Sequence, residues 1–200
     1  DPIHLGHLIL AEEARAALRL DRVVFIPARV SPLKREGTFF SAEERCHMVA
    51  LAIADNAAFG LSRSDVEREG PSFTVDTLRV LQAEFGPAAE LFFIMGMDSL
   101  ATLRHWRQPE EIIRLARLVV ISRPGYAPDL VALERDIPGI SQATYLLPCL
   151  QIGISSTELR RRIQAGEPIR YQVPDSVEAY IRQAVGSTSA AQRGHGAGAL

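Results

Sequence analysis

Cysteine is scarce in this chain. Cys46 and Cys149 are its 2 cysteines in 200 residues. They form neither a CxxC pair nor a disulfide framework, so the expected compartment is the reducing cytoplasm. Excess charge of either sign is missing as well: 22 Lys and Arg stand against 24 Asp and Glu, for a net charge of −2. General nucleic-acid and membrane-surface binders are usually basic, so neither nucleic acid nor a membrane is an expected partner. No apolar run approaches the ~20 residues that cross a bilayer, and no signal peptide is visible. Aromatic residues make up 6%, with a single tryptophan, Trp106. The chain opens on Asp1 rather than methionine, and the expectation is that the true N-terminus is missing or processed. What remains is an ordinary globular composition, 47% hydrophobic and 23% charged. Its length fits one domain with a substantial core.

Short apolar, β-branched runs alternate with helical patterns. Leu8 to Leu20 has helical spacing, with Leu10, Ala14, Ala17 and Leu18 on one side and Glu12, Glu13 and Arg15 mostly on the other. Val23 to Pro27, Leu91 to Met95 and Leu118 to Ile121 read as buried strands. Tyr145 to Leu147 reads as a late strand, and Leu61 to Val66 as a weakly alternating one. Ser41 and Glu44 form a capping box at the start of a helix. Another helix runs from about Thr74 to a glycine stop at Gly86, and a third begins at Pro109. This alternation predicts an α/β fold, a Rossmann-like doubly wound parallel sheet in one domain. The first helix starts with no strand before it, so a first strand is expected upstream of Asp1. Residues 1–185 are read as the domain and 186–200 as a disordered tail or linker, being rich in Gly, Ala, Ser and Gln.

Two segments carry the chemistry. Asp1-Pro2-Ile3-His4-Leu5-Gly6-His7 opens the chain, and Ile154-Ser155-Ser156-Thr157-Glu158-Leu159-Arg160 lies far downstream. Each reads as a loop entering a helix, where unpaired N–H groups and the helix dipole favour an anion. His4 and His7 can donate to phosphate oxygens as charge builds, and Gly6 lets the backbone approach a ligand. Ser156 and Thr157 offer hydroxyls, and Arg160 offers a guanidinium fork on the same face. Together they suggest a cleft that grips a triphosphate from both sides. Plainer readings stand beside these. Ser155 with Glu158 is a capping box in its own right. The two histidines at i, i+3 would share zinc only with further ligands, and His47, His105 and His195 are the other histidines. Gly96 and Asp98 follow a buried strand, where open α/β sheets bind ligands, yet Asp98 also fits as the cap of a helix beginning at Ser99. Trp106 can stack on a flat ring or serve as a buried anchor.

The His-x-Gly-His and Ile-Ser-Ser-Thr-x-x-Arg pair resembles the signatures of the nucleotidyltransferase superfamily. Ser31-Pro32-Leu33-Lys34, Pro71-Ser72-Phe73-Thr74, Gly96-Met97-Asp98-Ser99-Leu100, Trp106 and Arg123-Pro124-Gly125-Tyr126 narrow the resemblance to bacterial nicotinate-nucleotide adenylyltransferases, over residues 1 to about 183. The resemblance implies that nicotinate mononucleotide attacks the α-phosphorus of ATP, giving deamido-NAD and pyrophosphate. It assigns catalytic roles to His4, His7 and Arg160. ATP binding would fall to these together with Gly6, Gly96, Asp98, Ser155, Ser156 and Thr157. Phe73, Thr74 and Trp106 would frame the nicotinate, and Lys34 and Arg123 would bind the mononucleotide phosphate. Mg²⁺ would accompany ATP through phosphate oxygens and water, with no protein metal site.

Two departures are visible. The Gly-Gly-Thr-Phe segment that precedes Asp-Pro in the family does not appear, and Leu33 stands where many relatives have histidine. The alternatives are a sister transferase acting on nicotinamide mononucleotide or phosphopantetheine, a non-catalytic nucleotide-binding module and a zinc hydrolase. Oligomeric state is not readable from the sequence.

Overall fold

A computed structural model describes residues 1–32, 38–122, 128–149 and 152–194, with side chains described as far as Val185. The sequence leaves an extended residue, His4, and enters helix α1, Leu5–Leu18. The helix starts one turn earlier than its apolar spacing predicts. It stops where Arg19 turns left-handed (φ 53°) and the Leu20 N–H reaches back to the Arg15 carbonyl at 2.9 Å. Ala11 and Ala14 are its buried face, whereas Ala17 is exposed. Strand β1, Val23–Phe25, and helix α2, Ala42–Ile53, follow. Ser41 and Glu44 make both capping-box bonds, at 3.2 and 2.8 Å.

The expected strand at Leu61 to Val66 is displaced: strand β2 is Phe59–Leu61, and Ser64–Glu67 form a single helical turn, α3. Local side-chain bonds favour the turn there. The Ser62 hydroxyl accepts from the Ser64 N–H, and the buried Asp65 carboxylate is held by Arg68 and Thr77. Helix α4, Thr74–Phe85, ends at Gly86, whose φ of 83° favours glycine. Strand β3 is Leu91–Gly96; helix α5 is Met97–Thr102, continued by a 3₁₀ turn over Leu103–His105. Helix α6, Pro109–Leu115, leads into strand β4, Ala116–Ser122. Helices α7, Leu130–Asp136, and α8, Ile140–Ala143, precede strand β5, Thr144–Pro148. Helix α9 is Ser156–Ala165, and α10 is Asp175–Gly194. Thus much of the segment expected to be a tail is helical: no proline interrupts it, and Ala, Gln and Arg are good helix formers.

All strand pairs are parallel. β3, β4 and β5 lie side by side, with Ile94 opposite Val119 and Val120 opposite Leu146. β4 is the buried centre: Leu118, Val119 and Val120 have no exposure. Alternation sends Leu118 and Val120 into a core with Val75, Leu78, Leu100 and Ile112. Val119 points the other way, to Ala14, Leu147 and Cys149 beneath α1. Helices on both faces thus give the sheet its doubly wound character. β1 and β2 form a separate parallel pair, backed by a core of α2, α9 and α10 residues. Between the two sheets runs a cavity of about 1600 Å³, lined by Val23, Val24 and Phe25 of β1 and by Leu91 to Met95 of β3. It occupies the place where a doubly wound sheet carries its central strand.

Candidate active site

The same cavity reaches the C-terminal ends of β3 and β4, and most of the expected site residues line it. His4, Gly6, His7, Phe73, Thr74, Gly96, Asp98 and Trp106 all line it. Four residues do not line it. Ser155, Ser156, Thr157 and Arg160 begin just beyond Ile152, Gly153 and Ile154, which form that part of the wall. Lys34 and Arg123 lie outside the described residues.

The histidines form a stacked pair, with ring centroids 3.8 Å apart. His7 Nδ1 accepts the His4 backbone N–H at 3.3 Å. That bond fixes the tautomer of a neutral His7, so its proton is carried on Nε2. His4 is 7% exposed, and its Nδ1 is buried with no hydrogen-bond partner. Burial lowers its pKa to about 4. His4 is therefore a neutral imidazole at pH 7. Gly6 has a local reason to be glycine: a Cβ there would sit 2.9 Å from His4 Nδ1 and 3.0 Å from Cε1. The His4 ring lies flat against the space that a side chain would need.

Across the cleft, β3 ends at Gly96, where an added Cβ would meet nothing within 4 Å. The alternative reading of Asp98 as a helix cap does not hold. α5 begins at Met97 with Gly96 as its N-cap, so Asp98 sits inside the first turn and makes no cap bond. Among the described residues no donor engages its carboxylate, which leaves it for the cleft. Trp106 is half-buried, edge-on to Phe93 at 6.1 Å, and its Nε1 donates to the Thr102 hydroxyl at 3.3 Å. Phe73 is the N-cap of α4, so the Thr74 and Val75 N–H groups stand in the first turn, where no preceding helical carbonyl reaches them.

The downstream motif performs a different local task. Ser155 accepts the Glu158 N–H at 3.2 Å, but the Glu158 carboxylate turns to Arg161 and Arg162 rather than back to the cap. Half of the expected capping box forms. The Ser156 hydroxyl donates to the Pro2 carbonyl at 3.2 Å, and Arg160 donates to the Asp1 carbonyl at 2.9 Å and to Thr157 at 3.2 Å. The motif therefore holds the segment that leads into the histidine turn.

Residues 1–162 match the cytidylyltransferase-like family. A probable nicotinate-nucleotide adenylyltransferase of a Roseiflexus species is 48% identical over 181 residues, 90% of each chain. Its counterpart in Herpetosiphon aurantiacus is 45% identical over 183 residues, 92% of this chain and 91% of that one. The chain belongs to the nicotinate-nucleotide adenylyltransferase family. Among solved structures, the Plasmodium falciparum nicotinic acid mononucleotide adenylyltransferase complexed with NaAD shares the fold, with a TM-score of 0.71 over 91% of this chain and 18% identity.

Within this adenylyltransferase fold, two groups of cleft residues carry little signal in the sequence. The Arg107 guanidinium lies 4.8 Å over the Phe73 ring and bonds Asp76, bringing positive charge to the start of α4. Asp65 and Thr77 line the cleft floor, joined at 2.6 Å. Adjacency to Trp106 is the one hint that marks Arg107. Among the described residues no group of three or more His, Cys, Asp or Glu is placed to hold a metal ion, and no helix is long and apolar enough to cross a membrane.

Proposed function

We propose that the protein transfers the adenylyl group of ATP to nicotinate mononucleotide. A phosphate oxygen of the mononucleotide attacks the α-phosphorus; the bond to the β-phosphate breaks, and its electron pair leaves with pyrophosphate. One observation carries this reading: a single cleft joins the paired imidazoles of the α1 turn to the aromatic groups Phe73 and Trp106. Such a reaction needs in-line placement of two phosphates and stabilisation of the leaving charge rather than a covalent intermediate. His7 Nε2–H is the donor best placed for that charge, because its Nδ1 is already committed. His4, neutral and buried, supplies a second polar edge whose Nδ1 has no protein partner.

Gly96 gives adenosine an unobstructed approach to the end of β3, and the Asp98 carboxylate accepts from ribose hydroxyls. Trp106 and Phe73 frame the pyridine ring, and the first N–H groups of α4, with Arg107 nearby, favour its carboxylate over an amide. Ser155, Ser156, Thr157 and Arg160 meet the outer phosphates from the rim while holding Asp1 and Pro2 in place. Lys34 and Arg123 take the mononucleotide phosphate. ATP is taken as its Mg²⁺ complex, the ion riding on phosphate oxygens and water.

The test is pyrophosphate release from MgATP by the full-length protein, with nicotinate mononucleotide, nicotinamide mononucleotide and phosphopantetheine offered separately. At least about hundredfold selectivity for the nicotinate compound is expected, as for sites whose polar groups go unpaired with the wrong partner. Equal rates with the two pyridine nucleotides would overturn the carboxylate assignment. Activity with phosphopantetheine alone would overturn the ring pocket.

A further inference from the structure

Arg45 stands apart from all of these roles. It lies in α2 and is 9% exposed, yet no carboxylate pairs with it among the described residues. Its Nε donates to the Phe40 carbonyl at 3.3 Å and its Nη2 to the Arg29 carbonyl at 3.3 Å. Burial pulls its pKa down from the usual arginine value, although a guanidinium keeps its charge. A buried cation without a counter-charge is costly. The side chain thus ties the carbonyl of Arg29, after β1, to that of Phe40, just before α2, like a buckle.

Hydrogen bonds continue from both ends of that buckle. The Arg29 N–H donates to the Ser72 hydroxyl at 2.9 Å, and the Ser72 N–H donates to the Val30 carbonyl at 2.9 Å. Ser72 is buried and immediately precedes Phe73 and Thr74. On the other side, the Phe40 N–H donates to Asp1 Oδ1 at 3.3 Å, and the Asp1 carbonyl accepts from Arg160. Ala28, Ser31, Pro32 and Ser72 line the cleft on this side.

We propose that Arg45 is a positioning residue: by clamping the Arg29 and Phe40 carbonyls it fixes the 26–32 segment against Ser72, and so sets the shape of the mononucleotide side of the cleft without touching a substrate. The clamp rests on bonds described above; its effect on substrate rests on the mononucleotide assignment. Arginine suits the task because its rigid fork spans two acceptors, whereas lysine offers one point charge that buried sites readily neutralise.

Two measurements on the full-length protein decide it, using Arg45→Met, Arg45→Lys and Ser72→Ala. The first needs no substrate. Amide hydrogen exchange in Arg45→Met should quicken at least about tenfold in both 26–32 and 71–75, with 109–122 unchanged. Faster exchange in 26–32 with 71–75 unchanged would overturn the coupling. The second is steady-state kinetics. Arg45→Lys and Ser72→Ala should raise KM for nicotinate mononucleotide about fivefold or more, with KM for ATP within about twofold and kcat within about threefold. A parallel rise in both KM values, or a lowered Tm with both KM values unmoved, would overturn positioning. Should Arg45→Met fail to fold, Arg45→Lys takes its place in the exchange experiment. Should the wild-type protein use none of the offered acceptors, the functional reading falls, and the exchange result still decides the clamp.

Discussion

Gly6 and Gly96 line one cleft and are glycines for opposite reasons. At Gly6 the protein itself fills the space, because the His4 ring lies 2.9 Å from where a Cβ would go. At Gly96 nothing of the protein comes within 4 Å of that point. One wall is filled by the protein's own side chain; the other is open. On the proposed reading the reacting phosphates would meet a pre-set arrangement, which is where electrostatic catalysis gains most.

The sharpest break is His7→Ala. It removes the Nε2 donor from an exposed ring, so turnover should fall about 10²–10³-fold with little change in Tm; near-normal turnover would remove His7 from its assigned role. Gly6→Ala comes next. The new methyl collides with the His4 imidazole, and overpacking of that kind costs about 1–3 kcal/mol. Activity should drop at least about tenfold as the ring moves. A variant with unaltered thermal unfolding and unaltered turnover would mean the turn relaxes freely.

The filled wall also has an acid limit. The His4 pKa is lowered to about 4 from 6.5, so the unfolded chain takes up the proton first. Stability from this group is complete above about pH 6.5 and declines as pH falls towards 4, at up to about 1.4 kcal/mol per pH unit. Urea unfolding at pH 7, 6 and 5 should show that slope in the wild type and a flatter one in His4→Asn; parallel slopes would rule His4 out as the source. Gly96→Ala should have the smallest effect on the fold, within about 0.5 kcal/mol, while raising KM for ATP. Loss of stability without a change in KM would show that the open wall is structural after all.

The sequence reveals this asymmetry only in part. Strands β1, β3 and β4, the Ser41–Glu44 cap and the Gly86 stop are legible because each depends on neighbours within a few residues. The paired histidines are legible for the same reason. The Arg45 clamp is not: its acceptor at Arg29 is 16 positions away, and Ser72 meets Arg29 across 43. Contacts of that range leave no periodic trace. Asp98 fits a cap as well as a ligand group because it stands where a helix begins, but α5 starts two residues early and takes Gly96 as its N-cap. The Ser155 box closes halfway, since Arg161 and Arg162 compete for Glu158. β2 is displaced because serine and aspartate bonds to nearby groups outweigh a weak alternation.

The ties between Asp1, Pro2 and the α9 motif also set an order of events in the cell. The Asp1 carbonyl waits for Arg160, the Pro2 carbonyl for Ser156 and the Leu5 N–H for the Gln172 carbonyl, which accepts it at 2.9 Å. A ribosome adding about 5–20 residues per second releases the histidine segment on the order of ten seconds or more before those partners exist. During that interval the histidine turn lacks its anchors. The histidine turn, translated well before its anchors, therefore takes shape late, and no nascent fragment ending before α9 holds a completed turn.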